Sequence, residues 1–141
     1  MSKNITAQDL GIDLDEAQGP FKWLLASFLM GKRIQADIAV QAYRVLVEKH
    51  GRDTPRKLGH CTHTQLVAML GEAHYVRYDE STATRLSALA QKLEAEYGGS
   101  VSLMRDASVD RHDFEKRLQA FDGIGPKTVE IFMREAGRVL F

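Results

Sequence analysis

The sequence predicts an all-α protein, a bundle of short helices in one domain. Apolar residues recur at helical spacing along most of the chain, and no stretch alternates apolar and polar residues as a half-buried strand does. Helix start and stop signals punctuate the chain at short intervals. The 141 residues, 44% of them hydrophobic, are enough for one continuous core. Pro and Gly are sparse and scattered, no segment is low in complexity and no period repeats, so residues 1–141 read as a single domain without a linker.

Taken in order, Thr6 and Asp9 form a weak capping box over a short turn at about 6–10. Leu24, Leu25, Phe28 and Leu29 predict a helix at 21–30, and Ile38, Ala42, Val45 and Leu46 one at 34–49. A short turn is expected at 54–58. Thr62 followed three residues later by Gln65 is a capping box, opening a helix at 63–70 that carries Leu66, Val67, Met69 and Leu70. Leu86, Leu89, Ala90 and Leu93 mark a helix at 80–97, a turn follows at 101–106, and helices are expected at 110–121 and 126–138. Gly51, Gly71 and the Gly98-Gly99 pair stand just after periodic segments, where a left-handed residue closes a helix.

Several function classes are disfavoured. The apolar run from Trp23 to Met30 is too short to span a bilayer and is interrupted by Ser27, so no membrane partner is expected. The first residues, with Lys3, Asn4, Gln8 and Asp9, lack a basic start and an apolar stretch, and the single Cys61 has no partner for an internal disulfide; a cytoplasmic setting is expected. Lys+Arg and Asp+Glu balance at 19 each, so a nucleic-acid site has to be a local patch rather than a globally basic surface. His60, Cys61 and His63 lie close in sequence, but they lack a second ligand pair at zinc spacing, and the capping box accounts for Thr62; no metal and no cofactor is expected.

The most informative stretch runs from Leu118 through Phe121, Gly123, Ile124, Gly125, Pro126, Lys127 and Thr128 to Val129. Leu118 and Phe121 finish one helix on its buried face. Gly123 and Gly125 give the backbone freedom on either side of Ile124, which points inward and pins the turn. Pro126 suits the first position of a new helix. The uncapped amides there, at the positive end of the helix dipole, would make a site for a DNA phosphate, with Lys127 beside it. An ordinary αα-hairpin, whose glycines only tighten the turn, accounts for the same residues without needing Lys127.

This pattern over about 110–138 resembles the helix-hairpin-helix motif, which grips one DNA strand by its backbone. With Pro20-Phe21, Leu24 to Leu29 and the stretch Asp37–Tyr43, the chain also resembles the endonuclease III family of base-excision DNA glycosylases, the HhH-GPD superfamily. The resemblance implies that Lys127 holds the place of the lysine that forms a Schiff base in bifunctional members. It also implies either a short form that keeps binding without the chemistry or a fragment whose missing tail would complete the fold. No Asp follows Asp122, so the catalytic Asp of the family is missing, and with Cys61 alone a four-Cys iron–sulfur cluster is excluded. Glu130 and Glu135 are the carboxylates left downstream.

In the family, the loop at Lys32, Arg33 and Gln35 carries a polar wedge that fills the gap left by a flipped base; Gln35 would be the wedge and Lys32 and Arg33 phosphate contacts. A solvated basic turn with Ile34 in the core is the alternative. Arg77 and Tyr78, with Tyr75 nearby, read as a surface for stacking and backbone contact. The same stretch also reads as a helix N-cap at Asp79 or Ser81 with Tyr75 or Tyr78 at the core edge. The expected partner is double-stranded DNA, intact or carrying a damaged or abasic site. A glycosylase or abasic-site lyase using Lys127, and a protein-interaction module, are the alternatives.

Overall fold

Ten of the twelve residues of the helix Gly19–Met30 are buried, so the apolar run from Trp23 onward is the axis around which the other elements pack. The computed structural model describes residues 4–141, and the expectation that included Lys3 lies partly outside that range. The α-helices are α1 (Gly19–Met30), α2 (Ala36–Tyr43), α3 (Pro55–Gly59), α4 (His63–Glu72), α5 (Asp79–Tyr97), α6 (Val101–Ala107), α7 (Arg111–Gln119) and α8 (Pro126–Leu140). A 3-10 turn at Gln8–Leu10 precedes them and a π-helical segment at Arg44–Lys49 continues α2. The described residues contain no strand, and the fold is all-α.

Each short element has a local cause. Thr62 and Gln65 form the reciprocal box, with Thr62 N donating to Gln65 Oε1 at 2.8 Å and Gln65 N to Thr62 Oγ1 at 3.1 Å. Thr6 and Asp9 form a second one before the 3-10 turn. The stretches at 54–58 and 101–106 are true helices because Thr54 and Ser100 cap them through Lys57 N and Leu103 N, each at 3.1 Å. Gly51, Gly98 and Gly99 are left-handed at the predicted ends.

Three expectations need correction. The helix read at 34–49 begins at Ala36, because Gln35 is extended and Ile34 N donates back to Lys32 O at 2.8 Å; from Arg44 on, its turns widen, with His50 N reaching Val45 O. Gly71 closes nothing: α4 runs on to Glu72 and the left-handed residue is His74. Neither Asp79 nor Ser81 caps α5, since Tyr78 holds that position in left-handed geometry, with φ 64°.

The buried side chains form one cluster. α1 lies against α2 and α8, while α5 lies against α3 and α4. Trp23 Nε1 donates to Phe132 O at 3.1 Å in the core, tying α1 to α8. Phe114 of α7 stacks on Phe132 at 6.3 Å between ring centroids. Near the start of the chain, Ala7 N donates to Glu135 Oε2 of α8 at 3.0 Å. Among the described residues no helix is long and apolar enough to cross a membrane, and no group of His, Cys, Asp and Glu converges as a metal site requires.

Candidate nucleic-acid interface

The link between α7 and α8 is pinned from inside. Leu118, Phe121 and Ile124 are all buried, Phe121 N donates to Leu118 O, and Ile124 N to Phe121 O, each at 3.1 Å. Gly123 between them has φ 87°, a region closed to most side chains. A Cβ there would also lie 2.7 Å from Arg85 Cδ and 3.1 Å from Phe28 Cε2. Gly125 differs: it is extended, with φ −105° and ψ −171°, and nothing lies within 4 Å of where its Cβ would be. Its missing side chain leaves the backbone open rather than permitting the turn.

Pro126 is the first residue of α8, and no side chain caps this N-terminus. The first helical bond is Val129 N to Gly125 O, at 3.1 Å. The amides of Lys127 and Thr128 belong to the unpaired first turn of a helix, where the dipole is positive. The Lys127 side chain is exposed, whereas the Thr128 side chain is buried against Gly31. Thr128 is 2% exposed as a whole residue, so little of it, side chain or backbone, is open at this turn.

Cations from other elements converge on the turn. Lys32, just after α1, donates from Nζ to Gly123 O at 2.9 Å and lies 4.8 Å above the Phe28 ring centroid. Its partial burial, and then the neighbouring Arg85 guanidinium, hold its ammonium below the ordinary lysine range, against the opposing pull of Asp122. Arg85 of α5 places Nε 3.6 Å from Asp122 Oδ2. Gly31, Lys32, Arg85 and the turn from Gln119 to Thr128 together line an open cleft of about 670 Å³. Neither Arg85 nor Asp122 was singled out from sequence; Arg85 occupies an ordinary position of a periodic helix, and only the packing of α5 on the turn gives it significance.

A second cleft, of about 280 Å³, adjoins the first and shares Gly31, Lys32 and Arg85 with it. Arg33, Tyr78, Ser81 and Thr82 complete its lining. Tyr78 is 48% exposed, and the Arg77 guanidinium lies 5.1 Å from its ring centroid. A left-handed tyrosine costs on the order of 1–2 kcal/mol, and an exposed ring returns little of it through packing. Tyr75 takes the opposite role: it is wholly buried, its hydroxyl donates to Leu29 O at 3.3 Å, and burial pushes that hydroxyl up to about 12.

The structure therefore brings Lys32, Arg33, Tyr78 and the 123–128 turn to adjoining clefts, with Arg77 against Tyr78. Gln35 is left out: it is exposed at the start of α2 and lines neither cleft. Of the downstream carboxylates, Glu135 is engaged by Ala7 N, and Glu130 shares an outer hollow with Lys127 and Arg134. Comparison with protein-family models, with curated proteins and with solved structures gave no match.

Proposed function

We propose that this protein binds double-stranded DNA by its phosphate backbone, using the turn between α7 and α8 as a helix-hairpin-helix grip. One observation carries the reading. An uncapped helix N-terminus, beside a glycine with no covering atoms, shares a cleft with Lys32, Arg85 and Lys127 in a chain whose net charge is zero. Anions are stabilised at such an end by the amides and the dipole together, and mobile cations beside it add charge-assisted bonds. Contacts of this kind position a duplex without reading its sequence. The resemblance of Leu118 to Val129 to the hairpin of base-excision glycosylases makes damaged or abasic duplex the ligand of interest.

Fluorescence anisotropy of a labelled duplex, with and without an abasic-site analogue, tests this across a series of salt concentrations. Affinity should fall with salt at a slope matching about three to four neutralised phosphates. Lys127→Ala should weaken binding alike for unrelated sequences and lower the slope by about one phosphate. Absence of binding to either duplex at low salt would falsify the reading.

A further inference from the structure

The cleft beside Tyr78 has a composition of its own. Its charged lining residues are Lys32, Arg33 and Arg85, with no carboxylate among them. The acidic groups nearby are turned to other work: Asp122 pairs with Arg85 from the neighbouring cleft, Asp79 Oδ1 accepts from Glu80 N, and Glu80 faces His63 at 3.3 Å. On the same wall stands Tyr78, nearly half exposed, held left-handed with Ser81 Oγ donating to its carbonyl at 3.1 Å. A tyrosine held in an unfavourable backbone conformation with its ring about half exposed is a feature that core packing does not explain, and such outliers cluster at ligand sites.

A ligand complementary to this cleft carries a flat aromatic group for the ring and an anion for the arginines. A nucleotide has both. Stacking of a base on an aromatic side chain is tolerant of sequence, and the Arg77 guanidinium against Tyr78 extends the stack. A paired base has both faces covered by its neighbours in the duplex, so the nucleotide has to be unpaired.

We infer that this cleft takes an unpaired nucleotide, its base stacked on Tyr78 and its phosphate held by Arg33 and Arg85. The nucleotide is either an unpaired residue of the strand gripped at the α7–α8 turn, which rests on the DNA-binding reading, or a free mononucleotide, which does not. Because the two clefts share Lys32 and Arg85, a strand leaving the turn would pass into the Tyr78 cleft without a break.

The test compares a labelled intact duplex with the same duplex carrying a short single-stranded gap, and adds deoxyadenosine monophosphate followed by amide chemical shifts. Wild type should bind the gapped duplex about tenfold more tightly, the worth of one stacked base. Tyr78→Phe should keep that preference. Tyr78→Gly should abolish it while the melting temperature holds, since glycine adopts the left-handed conformation at no steric cost. A preference that survives Tyr78→Gly overturns the inference, as does equal affinity for the two duplexes combined with no Tyr78-dependent response to the mononucleotide. Equal affinity with such a response assigns the cleft to a free nucleotide. If neither duplex binds but the mononucleotide shifts amides of wild type and not of Tyr78→Gly, the cleft stands and the DNA-binding reading falls.

Discussion

Thr128 Oγ1 fills the space that a side chain at Gly31 would need: a Cβ there would lie 2.1 Å away. The end of α1 and the first turn of α8 are thereby locked in register, and the Lys32 loop is set against the hairpin. Gly31→Ala should cost about 1–3 kcal/mol, the usual penalty of overpacking, lowering Tm by roughly 2–4 °C per kcal/mol. Adding Thr128→Ala removes the nearest atom and leaves Ser27 O at 3.2 Å and Thr128 Cβ at 3.3 Å. Thermal denaturation of the four variants should show positive coupling; additive losses would mean that the two residues are not interlocked.

Gly123 and Gly125 should separate stability from binding. At Gly123 an added methyl is strained by φ 87° and drives into Arg85 and Phe28, so Gly123→Ala should lower both Tm and DNA affinity. At Gly125 the backbone is extended and the space open, so Gly125→Ala should fold normally while its methyl obstructs a phosphate at the α8 amides. Intact DNA affinity in a folded Gly125→Ala protein would argue against backbone binding there.

On the proposed DNA-binding reading, Arg85 and Asp122 should act in opposite senses on an approaching phosphate. Arg85→Gln should reduce the salt slope by about one phosphate, while Asp122→Asn removes a repelling charge and frees Arg85, raising affinity severalfold. Anisotropy titrations on one duplex decide this. Weaker binding by Asp122→Asn would show that the carboxylate's chief role is to hold the arginine in place.

Glu72, which lines neither cleft, accepts hydrogen bonds from Lys49 and from His50, the latter at 2.9 Å. The Lys49 bond, then the His50 bond, hold its carboxyl below the ordinary value of 4.5. A depressed carboxylate stabilises the fold above its unfolded pKa, and the contribution is lost as pH falls through the folded value. Urea denaturation of wild type and Glu72→Gln should therefore differ at neutral pH, and the two curves should converge as pH drops below 4.5. Curves that stay apart in acid would assign the difference to packing.

What was legible in the sequence was local chemistry. The Thr62–Gln65 box, the Thr6–Asp9 box and the inward Ile124 each depend on spacing within a few residues, and all appear in the structure. The stretches at 54–58 and 101–106 read as turns because each is short, yet α3 and α6 form there, opened by the caps Thr54 and Ser100. The left-handed geometry of His74 and Tyr78 has no mark in the sequence, because residues other than glycine seldom adopt it. Tyr75 and Tyr78 look alike in sequence, yet Tyr75 is buried with its hydroxyl on Leu29 O, while Tyr78 opens α5 at the surface. That Lys32 meets Gly123, across 91 positions, and that Arg85 joins them, depends on how α1, α5 and α8 pack.

The Ala7–Glu135 hydrogen bond joins residues 128 positions apart. A contact of such separation has to overcome the entropy of closing a long loop before it yields anything, so it is expected to form late on the folding path. Loss of the bond in Glu135→Ala should then appear almost wholly as faster unfolding, with the refolding rate little changed. Such a result would make the attachment of the N-terminal segment a kinetic latch, one that slows unfolding without hastening folding.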